Sequence, residues 1–542
     1  MMNTVYNSRR GATLSFLCKI SFAVVIFILL TRLTELQIIK GAYYRDLSEG
    51  NRLRTLSITA PRGKIYARGG EILADNKEVK KTVVFDAKKG YTKQLVTGET
   101  PKDEMIQEWD RIYTTKQMVA HALGYLGSVR EEEVNKPDPH CIEKGIRRGD
   151  TMVGRSGLEE QYDCVLRGID GEELVEVDIQ GNRIRTMGRK PPIPGSNINT
   201  TIDYGLQKRL SEAFGELPGA AVATDINGQI LAFYSNPSFD PSVFITSNPT
   251  NDAIVRDLFN DTKLPLFNRA ITGAYHPGSI FKIVTAAAAL EDKKITPEFS
   301  YNDTGTVSVN GFDYTTWYFT QYGRTEGELV LSRALARSTD TFFYKVGEYV
   351  GIDRLVYWAD KFGVGRKTNV DLPGEVSGLL PSPEWKQKVL NERWFLGNTY
   401  HFSIGQGDLL TTPLQANVLS ATMANGGYVC EPTFIFQKTP KCVKLEIADE
   451  TRDAIYQGLK EACQTGGTAY PFFDFTPPVA CKTGTAETGE KSPTHAWFTV
   501  IAPAENPEIV LTVLVEKGGE GSKVAAPIAR DALDYWFHVR TP

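Results

Sequence analysis

Residues 275–290, YHPGSIFKIVTAAAAL, put one lysine into an apolar, alanine-rich run with no helix breaker after Gly278. The run reads as a buried helix entered through the Pro277-Gly278 turn. Such a helix has to lie inside a layered core, and it takes Lys282 with it. Ser279 follows the turn at once and lies three residues before Lys282, so the two share a helix face. At a helix N-terminus, free N–H groups and the dipole favour developing negative charge. Desolvation disfavours the ammonium form, so Lys282 can act as a neutral amine that accepts a proton. A serine is a poor nucleophile until such a base removes its proton. Ser-x-x-Lys alone is a frequent chance match, and other stretches must decide whether this one is catalytic.

Two further stretches decide it. ALARSTDTFFYKVG (334–347) supplies Ser338-Thr339-Asp340, and VACKTGTAETG (479–489) supplies Lys482-Thr483-Gly484-Thr485. The three motifs follow in the order Ser-x-x-Lys, Ser-x-Asn/Asp, Lys-Thr-Gly, spaced by 59 and 144 residues. That ordered set is the signature of penicillin-binding proteins and class A β-lactamases. The sequence resembles a class B penicillin-binding protein of the elongation type (penicillin-binding protein 2-like) over nearly its whole length.

The chain has 542 residues, more than one ordinary core accommodates, so several domains are expected. A net charge of −4 gives no electrostatic case for nucleic-acid binding. The seven cysteines (18, 141, 164, 430, 442, 463 and 481) form no C-x-x-C and no Cys/His cluster. Their odd, scattered spacing argues against a disulfide framework, and Cys481 reads as a small buried residue of a strand. Some relatives bind zinc between the first two motifs through His and Cys. This chain has no His between 277 and 400 and no Cys between 165 and 429, so no metal is expected, and no cofactor.

Residues 1–11 form a polar tail with Arg9 and Arg10, and 12–35 read as a membrane anchor. The two arginines place the tail in the cytoplasm by the positive-inside rule, and Lys19 can snorkel towards that face. The purely apolar run 20–30 also suits a cleaved signal peptide. No small-x-small cleavage site follows, and LTRLTELQIIKG continues with helical periodicity, which favours an uncleaved anchor. The rest of the chain is then extracytoplasmic.

Residues 36–199 resemble the family's pedestal, or dimerisation-like, domain. In 43–76, Pro61, Gly63, Gly69 and Gly70 punctuate short strand-like runs. Only about forty residues separate Asn76 from RIYTTKQMVAHALGYLG (111–127), where elongation-type relatives carry a larger membrane-distal subdomain. Ala67 stands where the family usually has Asp. GRSGLEEQYDCVLRGIDGEELVEVD (154–178) reads as a structural joint, with Glu159 and Glu160 in an early helix turn.

Residues 200–542 read as the transpeptidase domain. TTIDYGLQKRLSEAFGEL (200–217) predicts an amphipathic helix, and 220–241 two strands flanking an Asn227-Gly228 hairpin. VACKTGTAE, AWFTVIAP and EIVLTVLVEKG predict three more strands, and 524–537 a closing helix. The expected class is α+β, a five-stranded antiparallel sheet flanked by helices. The glycine-rich FSIGQGDLL (402–410) lacks P-loop spacing and reads as structural. His276, Arg269 and His495 read as structural residues near the motifs.

The resemblance implies a peptidoglycan D,D-transpeptidase. Ser279 would attack the carbonyl between two D-alanines of a stem peptide while Lys282 takes its proton. Main-chain N–H groups of Ser279 and Thr485 would hold the oxyanion. Ser338 would relay a proton to the departing D-alanine, with Lys282 and Lys482 near it. Thr483, Gly484 and Thr485 would bind the donor, its terminal carboxylate held by Lys482 and the two threonine hydroxyls. Penicillins and other β-lactams would acylate the same serine. Asp340 replaces the commoner Asn; ionised, it only accepts hydrogen bonds and favours the charged form of Lys282. Ser338 could also be a helix N-cap. The family works beside a polytopic membrane glycosyltransferase, so such a partner is expected. Rival readings are a D,D-carboxypeptidase, a β-lactamase-type hydrolase, and a largely non-catalytic activator of the glycosyltransferase. QKVLN (387–391) has Gln387 where a class A β-lactamase needs its deacylating Glu, and glutamine is no base.

Overall fold

The computed structural model describes residues 3–86, 90–95, 105–149, 151–178, 183–245, 249–488 and 493–540. Two compact units divide the chain. One comprises Met1–Pro61, Glu78–Trp109 and Ile169–Ile193; the other comprises Arg62–Lys77, Asp110–Gly168 and Pro194–Pro542. The stretch 36–199 therefore contributes segments to both.

In the first unit, the helix Asn3–Thr34 continues through a π-turn, Glu35–Ile39. Ala12–Ile39 is long and apolar enough to cross a membrane. A second helix, Gly41–Arg52, follows where only strand-like runs were expected from residue 43. A three-stranded antiparallel sheet then orders Leu53–Ile58, Gly171–Val177 and Arg183–Lys190. Arg183 pairs with Glu173 and Arg185 with Glu176, which ties the neighbouring strands together on both faces.

The second unit is built on one five-stranded sheet. Its strands are β1 (Gly219–Asp225), β2 (Ile230–Asn236), β3 (Ala480–Ala486), β4 (His495–Ala502) and β5 (Ile509–Val515). All neighbours are antiparallel, in the order β2-β1-β5-β4-β3. Every expected strand is present. Asn227 and Gly228 turn β1 into β2, with Gly228 at φ +97° and the Asp225 carboxylate accepting from the Asn227 and Gln229 amides.

Period-two alternation divides the sheet's side chains between its two faces. Phe498, Val500, Leu511 and Val513 pack with the helices Tyr204–Phe214 and Ala525–Asp534. Trp497, Ile501, Val510 and Leu514 face the other core, which contains the wholly buried run Ile283–Leu290. The Asp203 carboxylate caps the first of these helices through the Leu206 amide, 2.9 Å away.

A buried ionic joint belongs to the same unit. Glu159, fully buried, pairs with Arg111 at 2.7 Å and with Arg62 at 2.9 Å, while Arg62 also reaches Asp163 at 2.8 Å. Glu159 and Asp163 lie in the stretch 154–178 that reads as structural. Arg269, which reads as structural, pairs with Glu516 at 3.0 Å.

The cysteines overturn their expectation. Cys141–Cys164, Cys430–Cys442 and Cys463–Cys481 are disulfides, leaving Cys18 as the one free thiol. Cys481 is buried as expected, but bonded. Spacing along the chain does not report proximity in space: Cys430 and Cys442 are register partners on adjacent strands. We expect alkylation of the undenatured chain in detergent to modify Cys18 alone, and all seven thiols to react after unfolding and reduction. Removing the Cys463–Cys481 bond by double Ser substitution should cost about 2–4 kcal/mol in denaturant titrations.

Candidate active site

Ser279 lies in the 3-10 turn Gly278–Phe281, and the α-helix proper starts at Lys282, slightly later than the sequence suggests. Gly278 has φ +53°, and a Cβ there would lie 3.1 Å from the Thr485 carbonyl. Gly484 meets the turn from the other side, its Cβ position 3.4 Å from the Pro277 carbonyl. Glycine at both positions lets the turn lie directly on β3, an edge strand of the sheet. Ser279 is partly exposed there, and Thr485 is the exposed residue of an otherwise buried strand.

Behind the turn, four of the motif side chains meet. Lys282 Nζ donates to Ser338 O at 2.8 Å, to Ser338 Oγ at 3.1 Å and to Asp340 Oδ1 at 2.6 Å. Lys482 Nζ donates to the same Ser338 Oγ at 2.9 Å and to Thr483 O at 3.0 Å. Both amines are fully buried and Ser338 is 6% exposed. Ser338 is not an N-cap. It ends the helix Leu331–Arg337 in the left-handed conformation, φ +56°, and Thr339 is the cap of Asp340–Val350. This strained conformation aims both the hydroxyl and the carbonyl of one residue at Lys282.

Burial pulls the Lys282 amine below the ordinary lysine range, opposed by the Asp340 carboxylate. Lys482 is held well below that range by burial and by the neighbouring Lys282 charge, again opposed by Asp340. Two amines and one carboxylate thus surround one hydroxyl.

Sequence reasoning missed three residues that touch the stretches carrying the second and third motifs. Trp317 donates its indole N–H to Arg337 O at 2.9 Å, and Arg337 lies over its ring. Thr468 Oγ1 lies 2.8 Å from Thr483 Oγ1, brought there by a segment that the Cys463–Cys481 bond ties to β3. Gln406, in the loop read as structural, bonds the main chain at Thr485 and Glu487. A buried amide between two glycines was the available signal for Gln406; Thr468 and Trp317 carried none. His276 is structural, its Nδ1 2.8 Å from Leu409 O. His495 begins β4 opposite Ala486, with its ring against Tyr275. A separate cavity of about 680 Å³ opens at the far end of the Lys282–Glu291 helix, lined in part by Glu291, Asp292, Tyr357 and Trp358. It contains none of the motif residues.

A helix-flanked antiparallel sheet with a Ser-x-x-Lys turn on its edge strand defines the class of penicillin-interacting serine enzymes. Residues 219–534 match the penicillin-binding protein transpeptidase domain, and residues 96–200 the penicillin-binding protein dimerisation domain. The peptidoglycan D,D-transpeptidase MrdA of Haemophilus influenzae is 31% identical over 605 residues, covering 95% of this chain and 90% of that one. The structure of Pseudomonas aeruginosa PBP2 in complex with WCK 5153 superposes with a TM-score of 0.73 at 31% identity, covering 90% of this chain and 97% of that one. A chain from a structure titled for the coordination of polymerization and crosslinking by a peptidoglycan synthase complex gives 0.76 at 28% identity, covering 97% and 98%. The chain belongs to the penicillin-binding protein transpeptidase family.

Replacing Lys482 by Met removes a fully buried amine at little change in volume. We expect Lys482→Met to stabilise the fold, by on the order of 1 kcal/mol in denaturant titrations at neutral pH.

Proposed function

We propose that this chain is a membrane-anchored peptidoglycan D,D-transpeptidase of the elongation type, acylated by penicillins at Ser279. The observation that carries the reading is the convergence of Lys282, Ser338, Asp340 and Lys482 behind the Ser279 turn. Ser279 Oγ attacks the penultimate D-alanine carbonyl of a stem peptide, and Lys282 in its neutral form takes the hydroxyl proton. The N–H groups of Ser279 and Thr485 hold the tetrahedral oxyanion, where one donor is typically worth ~10²–10³ in rate. The C–N bond breaks, a proton passes through Ser338 to the leaving amine, and free D-alanine departs. The amine of a second stem then attacks the ester, which forms the crosslink and returns Ser279. Lys482 and the hydroxyls of Thr483 and Thr485 hold the donor's terminal carboxylate, with Gly484 keeping the strand close.

The catalytic unit acts on the extracytoplasmic side. All six cysteines beyond the apolar helix are paired, as an oxidising compartment allows, while Cys18 within the helix is free. A polytopic membrane glycosyltransferase is the proposed partner, in keeping with the synthase-complex chain that this one resembles.

Fluorescent penicillin should label the full chain in detergent with a long-lived covalent adduct, lost in Ser279→Ala. Rapid release of the label from the parent chain would favour a hydrolase instead. Asp340 opposes the downward pull of burial on Lys282, so removing its charge moves that amine further down. The neutral base then persists to lower pH. In Asp340→Asn, the acidic limb of the penicillin acylation rate should shift to lower pH; a shift upward, or none, contradicts Lys282 as the base.

A further inference from the structure

We infer that Gln406 is a positioning residue for this reaction: its carboxamide holds the Thr485 end of β3 against the Ser279 turn and so sets the separation of the two main-chain oxyanion donors. The inference rests on the transpeptidase reading above.

The geometry comes from one short loop that is bonded to both sides of the gap. On the turn side, the Gly278 amide donates to Gly405 O at 2.9 Å. Gly405 has φ +77°, and a Cβ there would lie 2.2 Å from the Gly278 carbonyl, so only glycine permits this backbone-to-backbone approach. On the strand side, the next residue bridges to β3. Gln406 Nε2 donates to Thr485 O at 3.4 Å, and Gln406 Oε1 accepts from the Glu487 amide at 3.3 Å. Gln406 is 7% exposed, and its main-chain N–H donates to His401 O at 2.9 Å.

A brace at this point matters because β3 is an edge strand. Its pairing with β4 ends at Ala486–His495, and among the described residues its outer edge carries no further strand. The last peptide units of β3 are therefore held from the sheet side by that pairing and from the cleft side by Gln406. Both Gln406 bonds are long, as bonds around a reacting centre often are before the transition-state complex tightens them. Gln406 touches neither the nucleophile nor the buried amines in this arrangement, so its effect has to pass through the placement of Thr485.

The test compares the full chain with Gln406→Ala and Gln406→Glu in detergent. Glutamate keeps the size and the acceptor but loses the donor to Thr485 O, and it carries the test if the alanine variant does not fold. Stopped-flow labelling with fluorescent penicillin separates the saturating acylation rate from the initial dissociation constant. A boronic acid directed at Ser279 forms a tetrahedral adduct whose oxygen occupies the oxyanion position. We expect the acylation rate to fall about 10–100-fold in both variants, with the boronate affinity falling in step. The initial dissociation constant should change by less than about threefold, because ground-state binding does not use the hole. An acylation rate within about twofold of the parent, or a boronate affinity that stays constant while acylation slows, overturns the assignment. A parent chain that forms no Ser279 adduct at all overturns the transpeptidase reading itself, and the assignment of Gln406 with it.

Discussion

One buried lysine amine sets the terms for the rest of the catalytic unit. Lys282 is fully buried, and Ser338 O, Ser338 Oγ and Asp340 Oδ1 all lie within hydrogen-bond distance of its Nζ. Burial pulls it towards the neutral form and Asp340 towards the charged one. The proposed role of Lys282 as a base that gains and loses a proton each cycle draws on both influences. Lys482 shares Ser338 Oγ with it, so a proton gained at one amine is felt at the other. Two fully buried amines beside one carboxylate cost stability, and the surrounding cores offset that cost. The alanine-rich helix, the aromatic ring of Phe343 under Lys282 and the sheet behind it leave the amines one way to be satisfied.

The second requirement is close approach of backbone to backbone. The nucleophile turn, the edge strand and the Gly405–Gly407 loop meet through glycines, at distances where a Cβ would collide or crowd. Motifs spread over more than 200 residues of sequence are brought side by side in this way. The sheet carries Lys482 on its edge, the helix carries Lys282, and the helix break at Ser338 lies between them. The left-handed conformation of Ser338 is the local strain that lets its hydroxyl and carbonyl serve the same amine.

The motif order and all five strands were legible from the sequence because each rests on local chemistry: alternation, an Asn-Gly turn, a serine and a lysine one helical turn apart. Strand order was not, since nothing in EIVLTVLVEKG says that this last strand inserts between β1 and β4. Local pattern misled at Ser338, where Ser-Thr-Asp fits a cap equally well at two registers and the bonds to Lys282 select the other one. It misled again at Gly41–Arg52, where turn-forming residues downstream masked a helix. The cysteines misled because pairing depends on which segments the fold brings together, and an odd count hid one thiol in an apolar helix. Gln406 was visible only as part of a glycine-rich loop; its bonds to Thr485 and Glu487 depend on the strand that the fold brings beside it.

The proton affinity of Lys282 is the quantity on which everything else depends. A ¹³C NMR titration of the chain carrying ε-carbon-labelled lysine, with the Lys282 signal assigned by its loss in Lys282→Arg, measures it directly. A midpoint below the ordinary lysine value of about 10.4 is the predicted result. A midpoint at or above that value would mean that Asp340 outweighs burial, and it would contradict a neutral amine as the base that activates Ser279.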